Sequence, residues 1–261
     1  MLQETQGLIL KQMDFKDKDK IITILTKDDG KKSGILRGSK SLRSHHVATS
    51  EIFSHVQVLY VESPHRELVS IRKCEGIESY FALRQDYQKF LHACYFTELI
   101  SLADIPPQDS QKFFQLLLST LTRCQDTPKC SLVKLDFEQR LLQLLGLFPN
   151  RETCIHCGEA LWIRSSERNV RIRFRTSHQL DSRQGGLRCP QCLVQHPEVV
   201  SLSPGTLSYW KHQFPSPSER PPSGRIRETL QNLVELDQAF FVYIRYHLGK
   251  PPKSHAFVKL S

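Results

Sequence analysis

The chain has 261 residues, 39% hydrophobic and 24% charged, which is enough apolar material for a folded core. Its 36 Lys and Arg against 27 Asp and Glu give a net charge of +9 and point to an anionic partner, nucleic acid first. No apolar run approaches the ~18 to 20 residues of a membrane span, and Met1, Leu2, Gln3, Glu4 and Thr5 do not open a signal peptide; membrane and secreted classes are set aside, and a cytoplasmic, nucleoid-associated protein is expected.

The first 80 residues read as β. An apolar run at 8–10 is followed by β-branched residues at 21–26 and then by Asp28, Asp29 and Gly30, a hairpin signal. Strands are expected again at 31–38, 52–61 and 67–73. Gly34 inside the third suggests a bend or bulge at the corner of a small barrel. Five short strands joined by tight turns fit a small closed or partly open barrel.

Near Tyr80 the hydrophobic period changes from 2 to 3.6. Tyr87, Phe90, Leu91, Cys94, Tyr95, Leu99 and Leu102 line one face of a first helix, which Pro106 and Pro107 stop. A second helix is predicted over 110–123 with Phe113, Phe114, Leu117 and Leu121 inward. A third is predicted over 131–145, with Ser131 as N-cap and Gly146 as C-cap. After a cysteine-bearing segment at 151–200, Ser203 and Pro204 open another helix. A last helix is predicted over 225–248, with Ile226, Leu230, Leu233, Phe240, Phe241 and Ile244 inward. The fold class is α+β and multidomain: a barrel at 1–80, a helical domain from 81–150 and 201–250, a metal-binding insert at 151–200, and a tail at 251–261.

Four of the eight cysteines form two pairs, Cys154-x-x-Cys157 and Cys189-x-x-Cys192. Each pair places two sulfurs on one side of an ion, and the second closes a tetrahedral set, the pattern of a structural zinc. The 31 residues between the pairs need an intervening hairpin, with Gly158, Gly185 and Gly186 for the turns. A redox dithiol or an iron–sulfur cluster are the rival readings. Four thiolates leave no ligand position open for water, so the zinc is read as a staple and no catalytic residue is assigned. His156, His178 and His196 are read as solvated loop histidines. Phosphate-loop, dinucleotide, nucleophile-elbow and base-deaminase signatures are absent.

Two basic stretches suit phosphate contact. Lys31, Lys32, Arg37, Lys40 and Arg43 have no acid among them between residues 30 and 50. Arg171, Arg173 and Arg175 alternate with Ile172 and Phe174, so a strand would put all three on one face. Aromatic residues are sparse on the barrel, with Phe53 and Tyr60 the obvious ones, which points to a mode dominated by the phosphate backbone.

The order of these features resembles the bacterial recombination mediator family RecO, over nearly the whole length. At the start, Gly7-Leu8-Ile9-Leu10 precedes Asp19-Lys20-Ile21-Ile22-Thr23-Ile24-Leu25-Thr26 and Gly30-Lys31, and Arg37-Gly38 is similar to the start of the family's basic segment. Further on come Tyr95-x-x-Glu98-Leu99, Phe137-Glu138, Leu141-Leu142, Leu145-Gly146, Pro149 and the first cysteine pair with Gly158. Gly185-Gly186 before the second pair and Pro252-Lys253-Ser254 complete the set. Lys16 departs from it, standing where the family commonly has glycine.

The resemblance implies an OB-fold N-terminal domain, a helical domain and a zinc insert holding one ion. It implies binding of single- and double-stranded DNA, annealing of complementary strands, and work with RecR to load RecA onto DNA coated by SSB. It also implies a contact with the acidic SSB C-terminal tail, for which Lys134 and Arg140 are the candidate cations. The alternatives are a zinc-dependent nucleic-acid-modifying enzyme and a zinc-ribbon module that binds protein rather than DNA.

Overall fold

The computed structural model describes residues 1–39, 50–63, 65, 67–164, 172–174, 176–215 and 228–258. The chain divides into two compact units. The first holds Met1–Phe137 together with the segment that follows Pro251, and the second spans Glu138–Pro251.

Five strands make the barrel of the first unit: β1 (Leu2–Phe15), β2 (Asp19–Thr26), β3 (Lys31–Leu36), β4 (His55–Val61) and β5 (Val69–Glu78). They close in the order β1-β2-β3-β5-β4, with β4 back on β1. Every pairing is antiparallel except β3 with β5, which run parallel and seal the barrel. Alternation sends Ile9, Ile22, Ile24, Leu36, Val56, Val58, Tyr60, Val69, Ile71 and Cys74 into the interior. The predicted bulge at Gly34 is a close approach instead. A Cβ there would stand 2.6 Å from Val69 Cγ2 and 2.9 Å from the Val69 carbonyl oxygen, so glycine lets β3 and β5 meet. The register shifts lie elsewhere, after Ile9 in β1 and twice between β4 and β5. The β1–β2 turn starts at Lys16 with φ 54°, a left-handed conformation that favours glycine.

Short α1 (Phe81–Gln85), α2 (Tyr87–Leu102) and α3 (Ser110–Asp126) belong to the barrel's unit. Asp86 caps α2 by accepting from the Gln88 and Lys89 N–H groups. Tyr87, predicted inward, is exposed in the first turn, while His92, Ala93, Phe96 and Thr97 are buried beside Tyr95 and Leu99. α4 (Cys130–Leu144) starts one residue before the predicted cap, so Ser131 is a buried helical residue. A 3₁₀ turn, Lys253–Phe257, is fastened to α2 by the Glu98 carboxylate. That carboxylate accepts from the Lys253 and Ser254 N–H groups at 2.9 and 2.8 Å and from the Ser254 hydroxyl. This contact joins two of the quoted motifs, which stand 155 residues apart in the chain.

In the second unit, β6 (Ile163–Arg164) pairs with β7 (Ile172–Arg173). β8 (His178–Asp181) lies between β9 (Gly186–Arg188) and β10 (Val199–Leu202). β6 to β9 lie in the gap between the cysteine pairs, as the hairpin expectation required, and β10 follows the second pair. α5 (Pro204–Gln213) has Ser203 as its N-cap, accepting from the Thr206 N–H. α6 (Leu230–Leu248) is capped by Thr229 and ends at Gly249 with φ 70°. Leu230, predicted inward, is exposed in the first turn of α6, and Ile226 lies outside the described residues. Trp210 packs edge-on to Phe240 and donates to Gln139 Oε1 at 2.8 Å. Arg151 lies over the rings of Phe148 and Trp210 and donates to the Phe214 carbonyl at 2.5 Å. No helix among the described residues is long and apolar enough to cross a membrane.

Candidate metal centre and nucleic-acid interface

Two short turns bring the cysteines together. The Gly158 N–H donates to the Cys154 carbonyl at 2.9 Å, and Gly158 takes φ 78° to close that turn. On the other side a 3₁₀ turn, Pro190–Cys192, brings the Cys192 N–H to the Cys189 carbonyl at 3.0 Å. The Ile155 N–H, donating to the Leu187 carbonyl at 3.0 Å, ties the two turns together. Gly185 supplies φ 73° for the approach. Gly186 must stay small, because a Cβ there would stand 2.5 Å from Ile155 Cγ2.

The four Sγ atoms of Cys154, Cys157, Cys189 and Cys192 all lie within 4.8 Å of one another. Thiolates at about 2.3 Å from a tetrahedral ion stand about 3.8 Å apart; Cys157 and Cys189 are separated by 3.7 Å. The electrostatics fit a cation as well. Burial opposes charge on Cys154, yet the N–H groups of Cys157, Cys189 and His156 outweigh it and hold that thiol at about 6. Cys192 is pushed up to about 12 by burial and then by the neighbouring sulfurs. One thiolate is easily formed and the next is opposed by the first, a conflict that a divalent ion removes. These four residues can hold a metal ion.

The three histidines near the cluster contribute no ligand atom to it. His156 is exposed, as expected for a loop residue. His178 is not solvated: it is buried against Phe174, with Nδ1 2.8 Å from the Thr176 carbonyl oxygen. His196 lies between Asp181 (3.6 Å) and Glu198 (3.3 Å). The Asp181 carboxylate also accepts from Arg188 Nε at 2.7 Å, a buried ion pair across β8 and β9. Burial works against the charge on Asp181, but Arg188 and the Arg183 and Gln184 N–H groups draw its pKa below the usual carboxylate range. A second clasp joins the first cysteine turn to α5. Lys211 Nζ donates to both Glu152 oxygens at 2.7 and 2.6 Å, 4.0 Å from the centroid of the Trp162 ring, whose Nε1 also donates to Glu152.

Of the first basic stretch, Lys31, Lys32 and Arg37 are described, and they have three different environments. Lys31 Nζ is sequestered at the C-terminus of α2, donating to the carbonyls of Ala103 (2.6 Å), Ser101 (2.8 Å) and Ile100 (3.4 Å). That is a helix-capping geometry, with the ammonium against the negative end of the helix dipole. Burial, partly countered by Asp104, lowers its pKa. Lys32 is paired with Asp29 and Glu62, both at 2.6 Å. Burial opposes its charge, but those carboxylates prevail and raise its pKa. Arg37 is exposed and has no ion pair among the described residues. Lys40, Arg43, Arg171 and Arg175 lie outside the described residues, and Arg173 is on β7.

Lys134 is 0% exposed, with Nζ 4.8 Å from the Tyr95 ring centroid. Arg140 is exposed six residues on, about 240° around a helix, so the two cations do not share a face. Phe53 and Tyr60 are both buried. Phe53 has φ 73° and meets Phe90 edge-on, and Tyr60 donates to Asp29. Neither offers a ring to a ligand. Exposed Lys11 and Arg72 were not legible as site residues, because each is isolated in sequence; strand register places Arg72 beside Arg37, one residue past the Leu36–Ile71 pair, and Lys11 further along the same face, level with Thr23 and Ser33.

Residues 1–80 match the family model described as Recombination protein O N terminal, and residues 84–256 match the one described as Recombination protein O C terminal. The chain belongs to the recombination protein O family. It is similar to the DNA repair protein RecO of Symbiobacterium thermophilum, with 29% identity over 98% of this chain and 96% of that one. It is 27% identical to the DNA repair protein RecO of Moorella thermoacetica, over 98% of this chain and 90% of the relative. The RecO protein of Acetivibrio thermocellus is 25% identical over 98% and 96%. The family resemblance seen in the motifs thus holds across both units, and the five-stranded closed barrel, helical part and four-cysteine cluster are the architecture it implied.

Proposed function

We propose that this chain is a non-enzymatic, DNA-binding recombination mediator of DNA repair. It binds single- and double-stranded DNA, anneals complementary strands and, with RecR, helps load RecA onto SSB-coated single strands. The observation that carries this reading is the pair of family models matching 1–80 and 84–256, with relatives aligned over 98% of the chain. The net charge of +9 supports an anionic partner. Arg37, Lys40, Arg43, Arg171, Arg173 and Arg175 are the proposed phosphate contacts, with Lys32 joining when a phosphate displaces its carboxylates. Cys154, Cys157, Cys189 and Cys192 are the proposed ligands of one zinc. Four sulfurs fill a tetrahedral shell, which favours a structural ion over a hydrolytic one with a water position. The SSB tail is proposed to meet the helix bearing Arg140.

The test is annealing. Two complementary labelled oligonucleotides are mixed with and without the protein, first bare and then coated with SSB, and RecA filament formation is followed with RecR added. Faster annealing and RecR-dependent RecA loading are expected. An unchanged annealing rate, with no DNA binding at low salt, would overturn the proposal.

A further inference from the structure

The outer face of the barrel divides into two parts along β1 and β2. At one end Leu8 and Leu25 face each other in register and are fully buried. This is where α2 and α3 reach β1 and α3 reaches β2. Further along, the same face carries Met13 opposite Ile21, and Ile21 opposite Ile35 of β3. Their neighbours on the strands, Ile22 and Leu36, point into the barrel, so alternation turns Met13, Ile21 and Ile35 outward. Met13 is 52% exposed, and Ile21 and Ile35 are partly exposed. Three apolar side chains thus lie side by side across three strands, a band about 10 Å wide at ~4.8 Å per strand. Phe15, on the same side of β1, extends it, with Lys16 Nζ 5.4 Å from its ring centroid.

The rim of this band is basic. Lys11 precedes Met13 by two residues, Arg37 follows Ile35 by two, and exposed Arg72 follows Ser70, the register partner of Ile35. Thr23 and Ser33 contribute hydroxyls 3.0 Å apart. The acid on this side, Asp19, is engaged by the Gly38 N–H at 2.9 Å. An apolar centre with a cationic edge complements a ligand with apolar faces and an anionic spine, which is the chemistry of an unpaired nucleic-acid strand. In a duplex the bases are stacked and paired, and their faces cannot reach such a band. The band has room for two or three bases at about 3.4 Å each.

We propose that Met13, Ile21 and Ile35, extended by Phe15, form a contact surface for the faces of unpaired bases, with Lys11, Arg37 and Arg72 placed for the flanking phosphates. The inference rests on the DNA-binding reading above and adds to it that this barrel face distinguishes single from double strands. Apolar contact with base faces is sequence-tolerant, because every base has an apolar face, and over two or three bases the band is expected to contribute about tenfold to single-strand affinity.

The experiment uses the full chain and three probes of equal length: an oligo-dT strand, the same strand with a central run of abasic sites, and a duplex. Fluorescence anisotropy is read across a salt series. The abasic strand is expected to bind about tenfold more weakly than oligo-dT with the same salt slope, since its phosphates are intact. The double variant Ile21→Ser/Ile35→Ser is expected to lose about tenfold for oligo-dT and less than twofold for the duplex. Its thermal unfolding is recorded alongside, and if that variant does not fold, the abasic comparison on the native chain decides. Equal binding of oligo-dT and the abasic strand would overturn the base-contact surface while leaving DNA binding intact. No binding of any probe by the native chain would overturn both readings.

Discussion

Lys31 stands first in the most basic stretch of the chain, yet its ammonium caps a helix. Replacing it with Met keeps the stem and removes the charge from three carbonyls at 2.6, 2.8 and 3.4 Å. Hydrogen bonds to a charged group contribute about 1.5 to 3 kcal/mol, and a cation at a helix C-terminus about 0.3 to 1. Desolvation of the ammonium offsets part of this. A net loss of about 2 kcal/mol is expected, and at roughly 2 to 4 °C per kcal/mol that lowers the Tm by about 4 to 8 °C. The same substitution should leave DNA binding alone. Each phosphate contact to a single strand contributes about 0.7 to the slope of log K against log salt. Lys31→Met should leave that slope unchanged, whereas Arg37→Ala should reduce it by about 0.7 at unchanged Tm. The assays are circular dichroism melting and anisotropy titration at four salt concentrations. A Lys31→Met protein with native Tm and a shallower salt slope would refute the capping argument.

Further consequences follow from packing, metal chemistry and pH. Gly34→Ala forces a Cβ to 2.6 Å from Val69 Cγ2 and 2.9 Å from a backbone oxygen; overpacking of this kind costs about 1 to 3 kcal/mol, and an unchanged or raised melting temperature would contradict the closure described for β3 and β5. Cys189→Ser, or a chelator added to the native chain, should release one equivalent of zinc per chain, measured with a metallochromic dye. Proteolysis should then cut within 151–200 first, and an insert that stays resistant after metal release would sink the staple reading. Burial lowers the pKa of His55, His178, His212 and His247 below 6.5, partly countered by Glu78 at His55, by the Thr176 carbonyl at His178 and by Ser182 at His247. The unfolded chain therefore binds more protons below pH 6.5, so this contribution to stability is complete above that pH and is lost as pH falls toward the folded-state values. Melting temperatures should drop between pH 6.5 and 5, before the carboxylates titrate; a flat or rising profile there would be inconsistent with neutral native histidines. Removing one side of the buried Asp181–Arg188 pair, as Asp181→Asn, should cost about 3 to 5 kcal/mol by stranding the guanidinium. Chemical denaturation measures that loss, and a change below about 1 kcal/mol would show the pair to be dispensable.

The cysteine spacing was enough to name the four sulfurs that cluster, because a Cys-x-x-Cys turn constrains its two sulfurs locally and only the partner pair has to be found. Strand and helix types were legible for the same reason. β-branched alternation at 21–26 and the 3.6 period after Tyr80 are local patterns, and Ser203-Pro204 is a cap written into adjacent residues. Which charged side chains are available was not legible, since charge is a property of composition and pairing is a property of distance. Lys31 and Lys32 are neighbours in a run of basic residues, but one reaches a helix end some 70 residues away and the other a carboxylate 30 residues away. The same holds for the aromatic residues: Phe53 and Tyr60 were the visible rings, and the barrel buries both. The apolar band of Met13, Ile21 and Ile35 exists only through strand register, which brings three separate segments onto one face. The sequence alone determined the element types, the four cysteines that can hold a metal ion and the family. The tertiary structure decided which cations are sequestered and which face is left uncovered, because burial and pairing depend on contacts between residues far apart in the chain.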